Sequence, residues 1–169
     1  MSRREADFGK LSLEASKNLP IKSIKAGHSD QLLNSIAKML PIHFEVGEFN
    51  TKQATVWMLA IYLSQHWNKD LNYAHPSEVT IQHDLQISKN TRVEALRVLR
   101  TAGWFGVMEG RKVGQTLIAN RYFPLWEEHS RNAFIKHLAE LETVVSSKEE
   151  LLAQYDPRLE ISSADDTPF

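Results

Sequence analysis

The run from Pro76 to Phe123, PSEVTIQHDLQISKNTRVEALRVLRTAGWFGVMEGRKVGQTLIANRYF, restricts the possible folds of this chain more than any other stretch. It strings together a short helix signal, a turn, a basic helix and a glycine-bounded basic loop. Pro76 and Ser77 open a helix whose buried side is expected to be Val79, Ile81 and Leu85, since proline suits the first turn and serine can cap it. Ile87 and Ser88 make the turn. The Ser88 hydroxyl is placed to accept a hydrogen bond from a backbone N–H that the next helix would otherwise leave unpaired. That helix, about Lys89 to Ala102, is expected to bury Ala95, Leu96, Leu99 and Ala102 and to close at Gly103, where a left-handed residue is usual. Two strands, WFGVME and TLIANRYF, flank GRKVGQ, whose two glycines permit a turn with Arg111 and Lys112 at its tip.

The formal net charge of −1 hides how the charges are distributed. Asp84 to Arg121 holds seven Lys or Arg (Lys89, Arg92, Arg97, Arg100, Arg111, Lys112, Arg121) against three acids, whereas Tyr122 to Phe169 holds four bases and ten acids. A basic surface can meet phosphates whatever the total, because exposed charges are screened beyond roughly 8–10 Å at physiological salt.

The remaining chain divides around this centre. At 169 residues it suits one globular domain with extensions. Residues 1–29 lack a sustained apolar period and are expected to form a mobile arm with at most short local structure. Residues 30–123 form the main domain. Within it, Asp30 caps a helix bearing Leu32, Leu33, Ile36, Ala37 and Leu40, and Thr51 caps a second, running to about Trp67, that is apolar nearly all round and belongs in the core. Residues 124–155 form a helical extension in which Phe134, Ile135, Leu138, Leu141, Val144 and Val145 want a partner, either the same domain or a second subunit. Homodimerisation through the flanking helices is the preferred expectation, and another protein is a further candidate for the C-terminal region. Ser147 and Glu150 suggest a capping box that starts a separate short helix. Residues 156–169 are expected to be an acidic, disordered tail.

The residues of the central run resemble the winged helix-turn-helix domains of bacterial transcriptional regulators and of plasmid and phage replication proteins. The resemblance rests on Pro76, Ser77, Leu85, Ser88, Thr91, Leu96, Leu99, Ala102, Gly103, Asn120 and Tyr122, and with the preceding helix covers about 75 residues. It implies a mainly α fold with a small β-hairpin and flanking helices, and binding to double-stranded DNA. Two positions depart from the pattern. Arg92 stands where the family usually has a small apolar residue, and Gln82 to Asp84 replaces an Ala-rich stretch. The first departure leaves open whether Arg92 or Val93 faces a DNA groove.

A helix of this kind enters the major groove, and a basic hairpin beside it reaches backbone or minor groove. The candidate DNA contacts are Ser77, Thr80, Ser88, Lys89, Asn90, Thr91, Arg92, Glu94, Arg97, Arg111, Lys112 and Gln115. Asn90 suits adenine and Arg92 or Arg97 guanine, while Ser77, Thr80, Lys89 and Thr91 suit phosphate. Glu94 can read cytosine or simply pair with Arg97. Arg100 lies toward the far end of the helix and is a weaker candidate. Asn120 and Tyr122 are assigned to fixing the last strand, and the four tryptophans to core or interface.

Other chemistries find little support. There is no cysteine, which excludes disulfides and thiolate metal sites, and His66, His75 and His83 fit no zinc spacing. Phosphate-binding glycine loops and nucleophile elbows are absent, and the paired acids are consecutive residues that point apart on a helix. No catalytic residue, metal or cofactor is expected. The N-terminus is charged where a secretory signal would be apolar and no apolar run is long enough to span a membrane, so a cytoplasmic protein is expected. The leading expectation is a transcriptional regulator, most simply a repressor. A replication or partition protein on origin repeats, and a winged domain that binds only proteins, are the alternatives.

Overall fold

The computed structural model describes residues 3–19 and 51–154. The helix expected after Asp30 and the acidic tail at 156–169 lie outside the described residues. In chain order the elements are α1 (Arg3–Ser16), α2 (Gln53–Gln65), α3 (Glu78–Leu85), α4 (Lys89–Thr101), β1 (Phe105–Met108), β2 (Arg111–Val113), β3 (Thr116–Ile118), β4 (Arg121–Pro124) and α5 (Glu128–Gln154). The described protein is mainly helical, with two small antiparallel pairs, β1–β4 and β2–β3.

The two pairs follow one another along a single ribbon. Expected as one turn between two strands, GRKVGQ instead contributes Arg111 to Val113 as β2, and the turn moves to Gly114 and Gln115, where Gly114 takes φ 61°. Arg111 is therefore a strand residue rather than a tip residue. Gly110 marks the passage between the pairs: a Cβ there would lie 2.0 Å from the Ile118 carbonyl oxygen, so only glycine lets the arms approach this closely. Ala74 adds a bridge on the other edge of β4, exchanging backbone hydrogen bonds with Tyr122 at 2.8 and 2.9 Å.

Two apolar clusters share the β1–β4 sheet. On one side Val56, Leu59, Ala60 and Leu63 of α2 meet Ile81 of α3, Ala95, Leu96, Val98 and Leu99 of α4, and Trp104, Phe105 and Trp126. On the other, Met108 and Phe123 meet Phe134, Leu138, Leu141 and Val145 of α5 and Ala6 of α1. Side chains alternate across a strand, which is how a two-stranded sheet serves both. Gly106 leaves the space that the Phe134 ring occupies, since a Cβ would fall 2.6 Å from it.

Helical geometry explains three misplaced apolar residues. Val79, expected inside, is 74% exposed, because residues two apart on a helix differ by about 200° and Ile81 with Leu85 already defines the buried side. On α5 the buried residues Phe134, Leu138, Leu141 and Val145 share one face, whereas Ile135 and Val144 stand roughly a quarter-turn to either side and are exposed. α5 also runs unbroken through Ser147, where a second helix start had been expected; the good helix formers Lys148 to Gln154 extend it.

The largest correction concerns the N-terminus. In place of a mobile arm, Arg3 to Ser16 forms a 14-residue helix whose buried residues are Ala6, Gly9, Ser12 and Ser16. Such small residues allow close contact with α5, with a Cβ at Gly9 reaching 2.7 Å from Leu138 Cδ1. Arg3 pairs with Glu149 at 2.9 Å, and Lys10 pairs with Glu142. The face of α5 that called for a partner thus finds one in its own chain.

α2 begins after Lys52 rather than Thr51 and is tied to α3 by the Tyr62 hydroxyl, which donates to Asp84 at 2.7 Å. Burial, then the hydrogen bond to Asp84, pushes the Tyr62 phenol up to about 12. Its contribution to stability is complete below the ordinary phenol pKa of about 10 and is lost as pH rises through the folded value. An ultraviolet pH titration is expected to show tyrosine ionisation extending well above the ordinary phenol range, and Tyr62→Phe to reduce its high-pH amplitude. In urea unfolding, Leu138→Ala is expected to cost about 2–5 kcal/mol, against under about 0.5 kcal/mol for the exposed Leu152→Ala.

Candidate nucleic-acid interface

The expected contact region is built from two capped helices. Ser77 accepts a hydrogen bond from the Thr80 backbone N–H at 3.1 Å, and Ser88 from that of Thr91 at 3.2 Å. In each pair the two hydroxyls also share a hydrogen bond, at 2.7 and 2.9 Å. Ser77, Thr80 and Thr91, assigned to phosphate, thus already hold two helix starts together with Ser88. Between the helices Gln86 takes a left-handed backbone, φ 56°, which gives the turn its tightness.

α4 presents Lys89, Asn90, Val93 and Arg97 to solvent. Thr91 and Glu94 are half-buried, and Arg97 pairs with Glu94 at 3.0 Å, the local partnership weighed against base reading. Gln115 is exposed at the ribbon turn. The alternative between Arg92 and Val93 is resolved by burial. Val93 is 43% exposed and Arg92 only 3%. The Arg92 Nε donates to Gln82 Oε1 at 2.9 Å, and its terminal nitrogen lies 3.4 Å from Glu78 Oε2. Arg92 is therefore corrected from a base-reading candidate to an internal one. It occupies the same face as Ala95, Leu96 and Leu99, where the helical period calls for a buried residue.

Arg92 belongs to a chain of polar contacts that reaches the ribbon. Glu78 Oε1 accepts from Asn120 Nδ2 at 3.1 Å, Asn120 Oδ1 accepts from the Gly110 backbone N–H, and Asn120 Nδ2 lies 3.4 Å from the Tyr122 hydroxyl. Asn120 thus fixes the last strand, as its position suggested. Burial pushes the Tyr122 phenol above its ordinary value. Glu78 and Gln82 were missed by the sequence reading, and nothing in their local pattern separates them from solvated helix residues.

Arg100 is likewise internal: its guanidinium lies 3.9 Å from the centre of the Phe8 ring and 3.6 Å from Glu109, and burial lowers its pKa while Glu109 raises it. A groove of about 430 Å3 runs between α4 and the ribbon, with Phe8 of α1 at one wall. Lys89, Arg92, Arg97 and Arg100 line it against Glu78 and Glu109. Arg92 and Arg100 are buried beside those carboxylates, and Lys89 and Arg97 are its exposed cations. Arg111 is exposed but does not join them. It lines a second groove with Ile118, Arg121 and His137 of α5. Lys112 lies on β2, and its side chain is outside the described residues.

No family model, curated protein or solved structure matches the chain. Among the described residues no group of three His, Asp or Glu could hold a metal, and no helix is long and apolar enough to cross a membrane.

Removing the buried guanidinium with Arg92→Ala is expected to cost about 1–3 kcal/mol in urea unfolding, because it strips a charged hydrogen-bond partner from Gln82 and Glu78. Arg97→Ala, which loses only a surface pair, is expected to stay within about 0.5 kcal/mol of the parent. Asn120→Ala is expected to raise amide exchange at Gly110 selectively.

Proposed function

We propose that residues 51–124 form a winged helix-turn-helix and that the chain binds double-stranded DNA sequence-specifically as a transcriptional regulator. In this reading α4 enters the major groove and the β2–β3 ribbon is the wing. The observation that carries it is the exposed row Lys89, Asn90, Val93 and Arg97 on a helix that is capped at its start, buried along its other side and flanked by a ribbon. Asn90 and Arg97 have the donor and acceptor geometry to read adenine and guanine, and Val93 the apolar surface for a thymine methyl group. The N-terminal end of α4 and Lys89 supply positive potential for phosphate.

The burial of Arg92 narrows the reading set without dissolving it, because an internal Arg92 holds the row outward. Glu94 keeps Arg97 extended along the helix surface in the absence of DNA, and a guanine edge can compete for the same guanidinium. The sequence resemblance supports the same assignment.

Selection of bound fragments from random duplexes, followed by binding titrations at two salt concentrations, tests this function. Affinity is expected to fall with salt at about 0.9 logarithmic units per phosphate neutralised, and Lys89→Ala to reduce that slope by about 1. Arg97→Ala is expected to weaken the selected site by about 1–3 kcal/mol and random duplex much less, while Arg111→Ala, on the other groove, changes either only slightly. Absence of enrichment, or binding insensitive to salt, would favour a winged domain that contacts only proteins.

A further inference from the structure

The second groove, of about 440 Å3, lies between the outer side of the ribbon and α5, within the size range of small-ligand clefts of roughly 300–1,000 Å3. Its walls are of two kinds. Met108 and Arg121 are cross-strand partners on β1 and β4, Arg111 and Ile118 are partners on β2 and β3, and both pairs line it. Opposite them, α5 contributes one helical stripe, His137, Glu140, Leu141 and Val144. The sheet face and the helix stripe confront each other without closing.

The charges in the groove are not evenly satisfied. Of its three carboxylates, Glu109 lies 3.6 Å from Arg100, Glu5 accepts the Glu109 backbone N–H at 3.0 Å, and Glu140 lies 3.6 Å from His137. Arg121 has no ion-pair partner among the described residues. It is half-buried, with its guanidinium 5.9 Å from the centre of the Tyr73 ring. A guanidinium offers a planar fork of donors matched to a carboxylate, and a half-buried one lacking an anion is ready to donate to it. Beside it Ile118 is 39% exposed and Val144 53% exposed, an apolar surface suited to a small hydrocarbon body.

We infer that this groove binds a small organic monocarboxylate with an aromatic or branched aliphatic body, its carboxylate on Arg121 and its body against Ile118, Leu141 and Val144. His137 stands on the opposite wall as a second donor. Burial, with Arg121 next in importance, lowers its pKa and favours the neutral imidazole, and an arriving anion favours the protonated form. Arg111 and Glu140 border the site, and Glu5 and Glu109 close its α1 end. An occupant would bridge the ribbon and α5. The site does not depend on what α4 binds.

The test is a nitrogen–proton NMR titration of the full chain with phenylacetate, run beside phenylacetamide, acetate and inorganic phosphate. Phenylacetate is expected to produce saturable shifts at Met108, Ile118, Arg121, His137 and Leu141 and to raise the His137 pKa, while the other three produce much weaker shifts. Arg121→Gln is expected to weaken phenylacetate by at least about tenfold. Val144→Asp, at an exposed lip position, is expected to weaken it without loss of helicity, which keeps the test decisive if Arg121→Gln fails to fold. Equal response to phenylacetamide removes the carboxylate from the proposal, and equal response to phosphate removes the apolar body. No saturable binding, or unchanged affinity in both variants, overturns it.

Discussion

The guanidinium of Arg92 is the point on which the arrangement turns. It is buried near the start of α4 on the inward face, where the helical period asks for an apolar side chain, and it is tolerated because Gln82 and Glu78 of α3 receive it. Glu78 in turn receives Asn120, and Asn120 receives the Gly110 backbone N–H. One chain of contacts therefore fixes α3 against α4 and both against the ribbon. Replacing a buried ionic group by apolar residues is often neutral for stability, so the value of this network lies in specifying one relative placement of the three elements. Deleting one member leaves the others wanting partners, which is why such networks are sensitive to single changes.

A second constraint comes from α1. Its buried side is made of Ala6, Gly9, Ser12 and Ser16, and this smallness lets it lie close on α5 while reaching β1 and α4. Gly103 continues the same logic, because its φ of 81° suits glycine and a Cβ there would meet the Ser16 backbone nitrogen at 2.3 Å. The end of α4 and the end of α1 thus pack backbone to backbone. Through Phe8 and Arg100, α1 also supplies one wall of the groove beside α4, so the N-terminal helix helps to shape the proposed interface.

Much of the central fold is legible in the sequence because local chemistry decides it. Ser77 and Ser88 cap their helices, Gly103 closes α4, and the apolar residues of α2 enter the core. What could not be read depends on contacts distant in sequence. α1 carries no apolar period because its buried face is built of small residues; their spacing at 6, 9, 12 and 16 was the signal available. Charge keeps Arg92 open as an outward residue beside Val93, whereas its register with Ala95, Leu96 and Leu99 points inward. Arg111 was placed at a tip that the strand pairing moved to Gly114 and Gln115, and strand residues take the side their register dictates.

The proposed DNA binding requires α4 to meet the duplex with the side that carries Lys89, Asn90, Val93 and Arg97. Mapping the amide shifts of the full chain on titration with its selected duplex measures this directly. The predicted result is a saturable footprint centred on Lys89, Asn90, Val93 and Arg97, extending to Ser77, Thr80 and the ribbon turn, with α5 beyond Leu141 unchanged. A footprint centred on α5, or no footprint at low salt, would contradict it.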